Sequence, residues 1–257
     1  MFDPSRATPQ RGSVPASAGR VLTTEIWRPM GPLGPLPLVV FAHGWNSNPG
    51  VYEPLLNTWA AAGYLVAAPT FPDSADTLPG TPVSDYPDEA RDLSFVITAL
   101  LGGRDGPVDP AEIAVAGHSD GGTDVALLAL NPAFADHRIR AYLSLSSEIP
   151  ADVVGPWGVP TPGTLLVAVG TADEYGLLPR ANQVYQTADM VKAFLTVAGG
   201  DHLDTFVGAS PRDQAVRAET LRFLKLALGP GTVTPAGLGA ALTPPLDPSF
   251  TITSGAN

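Results

Sequence analysis

The sequence contains no cysteine, only two lysines and no long apolar run. Without cysteine the chain can form no disulfide, no thiolate nucleophile and no cysteine-ligated metal site. Apolar runs such as residues 38–42 and 165–169 are only five residues long, whereas a membrane-spanning helix needs roughly 20. We therefore expect no membrane span.

Positive charge is also scarce, with 14 Lys and Arg against 25 Asp and Glu, for a net charge of −11. Such a chain repels phosphate backbones, and no basic cluster offsets the repulsion, so we expect no nucleic-acid partner. The first residues lack the basic start and apolar stretch of a signal peptide. This leaves the compartment open: we expect a cytoplasmic protein from the sequence as given, or a secreted one if a signal peptide had been removed.

The 257 residues, 44% of them hydrophobic, suit one large domain. Pro, Gly, Ser and Thr concentrate at both ends, which predicts an extended N-terminal segment over residues 1–19 and a Pro/Gly-rich tail over residues 229–257. The folded, catalytic domain is expected over residues 20–228, and we expect it to be a monomer.

Short apolar runs alternate with stretches of helical spacing in this domain. The runs predict strands over residues 21–27 at a sheet edge, 38–42, 64–68, 113–116, 141–145, 165–169 and 193–197. The helical spacing predicts helices over residues 52–62, 88–101, 121–130, 179–187 and 211–228. Buried strands separated by helices indicate an α/β fold, with a mostly parallel central sheet and helices on both faces. The chemistry of such sheets lies at the carboxyl ends of the strands.

The motif GHSDGG at residues 117–122 satisfies G-x-S-x-G with Ser119 at its centre. It lies between a predicted strand and a predicted helix, so Ser119 must occupy a tight turn that glycine neighbours permit. A Gly-rich turn with a solvated serine is the simpler alternative, but the strand before and the helix after favour a nucleophile.

A serine nucleophile needs a histidine base, and the sequence offers four histidines. His118 adjoins the serine and should point away from it, His43 ends an earlier strand, and His137 lies in a polar surface segment. His202, which follows the last predicted strand, is left as the base.

The base needs a carboxylate that fixes its tautomer. Asp173 follows the predicted strand before the histidine strand, which gives the chain order Ser119, Asp173, His202 that this architecture uses. Glu174 and Asp201 remain open alternatives, because each adjoins one of these residues.

The oxyanion of an acyl-transfer reaction needs two N–H donors. The amide of Asp120, at the predicted N-terminus of a helix, is one candidate. The second is the amide of Trp45, in the loop HGWNSNPG after an early strand.

The motifs HGW, GHSDGG, GTADEY and GGDHLDTF, in this order, resemble the α/β-hydrolase superfamily over residues 20–228. Residues 19–45 more narrowly resemble the bacterial lipase, chlorophyllase and platelet-activating-factor acetylhydrolase branch, which includes dienelactone-hydrolase-like and cutinase-like polyester hydrolases. The resemblance implies Ser119 as nucleophile, Asp173 as acid, His202 as base, and the Trp45 and Asp120 amides as oxyanion hole. It also implies that His43 braces the oxyanion loop.

This chain departs from two members of that branch. Dienelactone hydrolases proper use cysteine as nucleophile, and polyester-degrading cutinases usually have GHSMGG and a tryptophan after the next strand, where this chain has Asp120 and SSEIP. We therefore expect a serine carboxylic-ester hydrolase of the esterase or lipase type, without cofactor or metal, acting on a small or medium ester.

Three alternatives stay open. They are a cutinase-like polyester hydrolase, an amidase or peptidase on the same fold, and a non-catalytic binding protein. Peptidases of this architecture commonly have a cap domain, and no insertion here is long enough for a large one. The long loops at the carboxyl ends of the strands suggest Phe71, Tyr86 and Trp157 as substrate-binding residues.

Overall fold

The computed structural model describes residues 10–15, 21–30, 34–77, 82–103, 106–159 and 161–256. Within them, nine strands form one sheet in the order β1-β2-β4-β3-β5-β6-β7-β8-β9. The strands from β4 to β8 in this order are parallel, and β1, β2 and β9 run antiparallel to their neighbours. The predicted α/β-hydrolase fold with a mostly parallel sheet is confirmed.

The predicted strands and helices are all present, with bounds that differ by a few residues. The strands are β1 Gln10–Pro15, β2 Val21–Trp27, β3 Leu36–Ala42, β4 Leu65–Thr70, β5 Val108–His118, β6 Ala141–Leu145, β7 Thr164–Gly170, β8 Val191–Val197 and β9 Phe250–Gly255. The helices are α1 Glu53–Ala61, preceded by a 3₁₀ turn at Pro49–Tyr52, α2 Tyr86–Leu101, α3 Asp120–Leu130, α4 Leu178–Thr187, α5 Asp204–Val207, α6 Pro211–Ala227 and α7 Pro235–Ala241. None of the helices in the described residues is long and apolar enough to cross a membrane.

Many of the prolines stand where a helix begins. Helices α1, α2, α4, α6 and α7 each have a proline in the first turn. The first turn has no intrahelical acceptor for its N–H groups, so a residue without an N–H loses nothing there. The high proline content is thus compatible with an ordered helical layer.

The sheet separates two hydrophobic layers. Alternate residues of β3 point to opposite faces, with Leu38 and Val40 in one layer and Val39 and Phe41 in the other. Helices α2, α3 and α4 cover the first face, and α1, α5, α6 and α7 cover the second. Both faces are therefore buried, as the strands without alternating polarity predict.

The structure corrects the expectation for the C-terminal segment. Residues 229–257 were expected to form a tail, but α7 and β9 lie in them, and β9 pairs with β8 along six residues. Leu238 and Phe250 bury their side chains in the second hydrophobic layer. Pairing satisfies the N–H and C=O groups of β8, which would otherwise be an exposed edge.

The N-terminal end differs from expectation in its pairing. Residues 21–27 form the predicted strand but do not lie at the sheet edge, because β1 pairs with them along its six residues. Residues 10–15, which were expected to be extended, therefore form the edge strand of the sheet.

Candidate active site

Ser119 lies at the junction of β5 and α3, where the backbone takes φ 58° and ψ −122°. Residues other than glycine rarely adopt a positive φ, and such backbone strain is concentrated at functional sites. A Cβ at Gly117 would lie 2.1 Å from the Gly121 carbonyl oxygen, and one at Gly121 would lie 2.3 Å from the Ala42 carbonyl oxygen. The glycines of the motif thus permit the close approach of strand and helix that this turn requires.

Asp173 and His202 are brought together by the two parallel strands they follow. Asp173 comes after β7 and His202 after β8, and Nδ1 of His202 lies 2.8 Å from Oδ2 of Asp173. The Asp173 side chain is 1% exposed and the His202 side chain 10%. The second carboxyl oxygen of Asp173 accepts the backbone N–H of Tyr175 at 3.0 Å. An Asp173 held in this way fixes the N–H of His202 on Nδ1 and leaves Nε2 free to accept a proton.

The two other candidate acids have different partners. Glu174 Oε2 accepts the backbone N–H of His202 at 3.0 Å. Asp201 Oδ1 accepts the backbone N–H of Thr205, in the first turn of α5, at 3.0 Å. Of the three, Asp173 is the one whose carboxylate contacts the imidazole.

A cavity of about 670 Å³ opens at the carboxyl ends of the strands and is lined by Ser119 and His202. The Ser119 hydroxyl makes no hydrogen bond to His202 in the described structure, as is common for catalytic pairs without a bound substrate. Other parts of the wall are Trp45, Ser84, Thr123, Glu148, Tyr175 and Arg180.

The loop after β3 is held from behind by His43. Its Nδ1 lies 2.9 Å from the Gly44 carbonyl oxygen, and its Nε2 accepts the backbone N–H of Phe71 at 3.0 Å. Burial lowers the pKa of His43 to about 4, so the ring stays neutral and keeps one donor and one acceptor. The loop places Trp45 and Asn46 along the cavity wall.

The amides of Trp45 and Asp120 both belong to residues of that wall. Neither amide donates to an acceptor in the part of the chain that the structure describes. Asp120 is the first residue of α3, where unpaired N–H groups and the helix dipole favour negative charge. Both amides therefore have unpaired N–H groups on residues of the cavity wall, which is the property expected of oxyanion donors.

The carboxylate of Asp120 is turned to other partners. Oδ2 accepts a hydrogen bond from the Ser84 hydroxyl, and Oδ1 accepts one from the Tyr86 hydroxyl at 3.3 Å. Burial raises the pKa of Asp120, and the charge of Glu148 raises it further. These contacts explain how an acidic side chain is accommodated directly after Ser119.

None of the three expected substrate-binding residues belongs to the cavity lining. Phe71 is fully buried and packs its ring 4.9 Å from that of His43. Tyr86 binds Asp120, and Trp157 packs against the hydrophobic layer of α2 to α4. The sequence indicated the correct loops, but the direction of a side chain in an irregular loop depends on contacts that have no periodic pattern.

Three features of the wall were not expected from the sequence. Arg180 Nη1 contacts Glu148 Oε2 at 2.7 Å on the cavity wall. The ring of Tyr175 packs edge-on against His202 with centroids 4.6 Å apart, and Tyr175 is 66% exposed. Tyr52 lies behind the serine turn. A signal for Tyr175 was available in the sequence, since it is two residues after Asp173.

No metal site is formed in the described residues, where no group of three or more His, Cys, Asp or Glu could hold an ion. The groups that the site offers are those of acid–base and nucleophilic chemistry.

Comparisons with known proteins concern the family and the fold of the chain. A family model described as chlorophyllase matches residues 17–156, while no curated protein matches the sequence. Similar solved structures include a Mycobacterium tuberculosis puromycin-hydrolyzing peptidase, with 18% identity, a TM-score of 0.65 and coverage of 87% of this chain. This chain spans only 40% of that peptidase.

Two further solved structures are similar over most of their own length. Esterase Est22 has 15% identity and a TM-score of 0.67, with 89% of this chain and 81% of that chain covered. The ferulic acid esterase from Streptomyces cinnamoneus has 19% identity and a TM-score of 0.66, with 95% and 94% covered. At these identities the likeness concerns the fold.

Proposed function

The chain belongs to the chlorophyllase family and is a hydrolase of ester bonds, and we propose that it cleaves carboxylic esters through a serine acyl-enzyme. The observation that supports this most strongly is the 2.8 Å contact of Asp173 with His202 beside the strained turn of Ser119. The proposed roles are nucleophile for Ser119, base for His202 and orienting acid for Asp173.

The first half of the proposed reaction forms the acyl-enzyme. Nε2 of His202 takes the hydroxyl proton of Ser119 as Oγ attacks the ester carbonyl carbon. The amides of Trp45 and Asp120 hold the negative charge that develops on the carbonyl oxygen. His202 then gives its proton to the departing alkoxide oxygen, and the C–O bond of the ester breaks.

The second half releases the acid. Water enters, His202 Nε2 removes one of its protons, and the hydroxide oxygen attacks the acyl carbon. The same amides hold the second oxyanion. Its collapse breaks the bond to Ser119 Oγ, which recovers the proton from His202.

The size of the cavity supports the proposal that the substrate is a small or medium ester. Its volume of about 670 Å³ lies within the range of small-molecule sites. Polar and charged side chains, such as those of Thr123, Glu148 and Arg180, form part of its lining. A series of p-nitrophenyl esters of increasing acyl length, with a polyester film and an anilide, separates short-chain esterase, lipase-like, cutinase-like and amidase activity.

The proposal is tested by Ser119→Ala. We expect kcat for p-nitrophenyl butyrate to fall by about 10⁴-fold, because the nucleophile is lost while the oxyanion donors remain. Ser254→Ala, in β9 at the far edge of the sheet, is the matched control and should leave turnover unchanged. Normal turnover in Ser119→Ala would refute the serine mechanism, and no turnover in the unmodified protein would favour a non-catalytic role.

A further inference from the structure

A chain of buried hydrogen bonds runs behind Ser119 and links the two sides of the site. The Gly44 N–H donates to the Tyr52 hydroxyl oxygen at 3.1 Å, and that oxygen lies 3.0 Å from Nδ1 of His118. Nε2 of His118 lies 2.8 Å from the backbone carbonyl oxygen of His202. Gly44 precedes Trp45 in the oxyanion loop, so the chain joins that loop to the backbone of the proposed base.

With His118 neutral, the backbone groups at the two ends of this hydrogen-bonded path determine where its protons lie, and Ser47 is a further hydrogen-bond partner of the Tyr52 hydroxyl. A backbone N–H can only donate and a backbone carbonyl can only accept. Tyr52 therefore accepts from Gly44 and donates its own proton to Nδ1 of His118, whose Nε2–H donates to the carbonyl of His202. Every donor has an acceptor, and His118 is fixed in one neutral tautomer.

Burial keeps the side chains of Tyr52 and His118 uncharged. Tyr52 is 2% exposed and His118 is 1% exposed. Burial lowers the pKa of His118 to about 3, with the charge of His202 as a second cause, and burial raises the pKa of Tyr52 to about 12. Neither group can therefore exchange protons with a substrate at neutral pH.

We infer that Tyr52 and His118 are positioning residues, which fix the distance between the oxyanion loop and His202 across the nucleophile. This inference rests on the proposed function of the site. His118 is next to the nucleophile Ser119 in the sequence, and Gly44 is next to the oxyanion donor Trp45. The path ends on the backbone carbonyl of the base, so it connects all three parts of the site. Small displacements of such groups lower the rate of the chemical step far more than they weaken substrate binding.

A neutral His118 is also required for the base to become charged. The rings of His118 and His202 have centroids 4.5 Å apart, and His202 becomes an imidazolium during both halves of the reaction. A second positive charge at that distance would oppose this step. Phe206 also packs against His118, with ring centroids 5.3 Å apart.

The inference is tested by Tyr52→Phe, which removes one oxygen from the chain. We expect kcat for p-nitrophenyl butyrate to fall about ten-fold, as for the loss of a buried hydrogen bond, while KM stays within about two-fold because the cavity wall is retained. Tyr142→Phe is the matched control. Its hydroxyl is also buried but has no hydrogen-bond partner among the residues that the structure describes, so its loss should leave kcat unchanged.

A second pair of variants separates positioning from simple packing. His118→Leu removes both ring nitrogens, whereas His118→Gln retains an N–H donor for the carbonyl of His202. We expect His118→Gln to recover most of the kcat that His118→Leu loses, with equal KM in both.

Two results would overturn the inference while leaving the proposed function intact. One is an unchanged kcat in folded Tyr52→Phe, and the other is an equal loss in Tyr142→Phe. Should Tyr52→Phe fail to fold, equal kcat in His118→Gln and His118→Leu would overturn it. Failure of the proposed function itself would instead appear as normal turnover in Ser119→Ala.

Discussion

Individual residues at this site are distinguished by partners rather than by type. Asp173, Glu174 and Asp201 are three acids within two loops, yet one contacts the imidazole of His202, one its backbone N–H and one the start of α5. Two of them therefore support the loop, and Asp173 alone is placed to stabilise a positive charge on the ring.

This assignment predicts different results for two equivalent changes. Asp173→Asn should lower kcat by about 10³- to 10⁴-fold, because an amide cannot hold the required tautomer or stabilise the imidazolium. Asp201→Asn should cost at most a few-fold, since the amide oxygen of asparagine can accept the same backbone N–H of Thr205. Kinetics with p-nitrophenyl butyrate measure both, and the reverse order of effects would assign the acid to Asp201.

At the scale of elements, α2 and α3 pack together with two acids between them. Glu89 of α2 and Asp124 of α3 are fully buried in this contact. Burial raises the pKa of Glu89 to about 7, and it raises the pKa of Asp124, which the charge of Glu89 raises further. Asp120 and Asp85 add negative charge nearby.

A raised pKa in the folded state makes stability depend on pH in a defined direction. The folded chain binds the proton of Glu89 more tightly than the unfolded chain. This stabilisation is therefore complete below the unfolded pKa near 4.5 and is lost as pH rises through the folded pKa of about 7.

Glu89→Gln should consequently change the pH profile of stability. The free energy of unfolding of the unmodified protein should fall more steeply than that of the variant between pH 4.5 and 8, because Glu89 loses its tightly bound proton in this range. Urea unfolding at several pH values measures this difference. Glu53→Gln, on the exposed first turn of α1, is the control, and parallel profiles for all three proteins would contradict the prediction.

At the scale of the whole molecule, the C-terminal elements α7 and β9 are part of the folded domain and do not form a tail. Strand β9 covers the edge of β8, and α7 closes the layer formed by α1, α5 and α6. Leu238 of α7 is fully buried, whereas Leu246, in the turn before β9, is 50% exposed.

These two leucines provide a matched test. Leu238→Ala should lower the free energy of unfolding by about 2–5 kcal/mol, because it leaves a cavity in the second layer. Leu246→Ala should change it by less than about 0.5 kcal/mol. Urea unfolding compares them, and equal effects would mean that α7 contributes no more to the fold than a surface turn.

The sequence predicted the central elements because their burial leaves a strong local signal. Continuous apolar runs such as residues 38–42 and 165–169 and the long helical spacing of residues 211–228 depend on neighbours a few positions away. The segments α7 and β9 were not predicted, since they are short, rich in Pro, Gly and Thr, and acquire order through contacts with β8 and with each other.

The sequence by itself determined which reactive side chains this protein has and the order in which they occur along the chain. With no cysteine and a single G-x-S-x-G turn, the nucleophile is expected to be serine, and the chain order of Ser119, Asp173 and His202 follows from strands that end at one edge of the sheet. The tertiary structure decided which acid contacts His202, how Asp120 is accommodated, and that Tyr52 and His118 form one hydrogen-bonded path. These depend on distances between residues up to 84 positions apart, and such distances arise only when the strands pair and the loops pack.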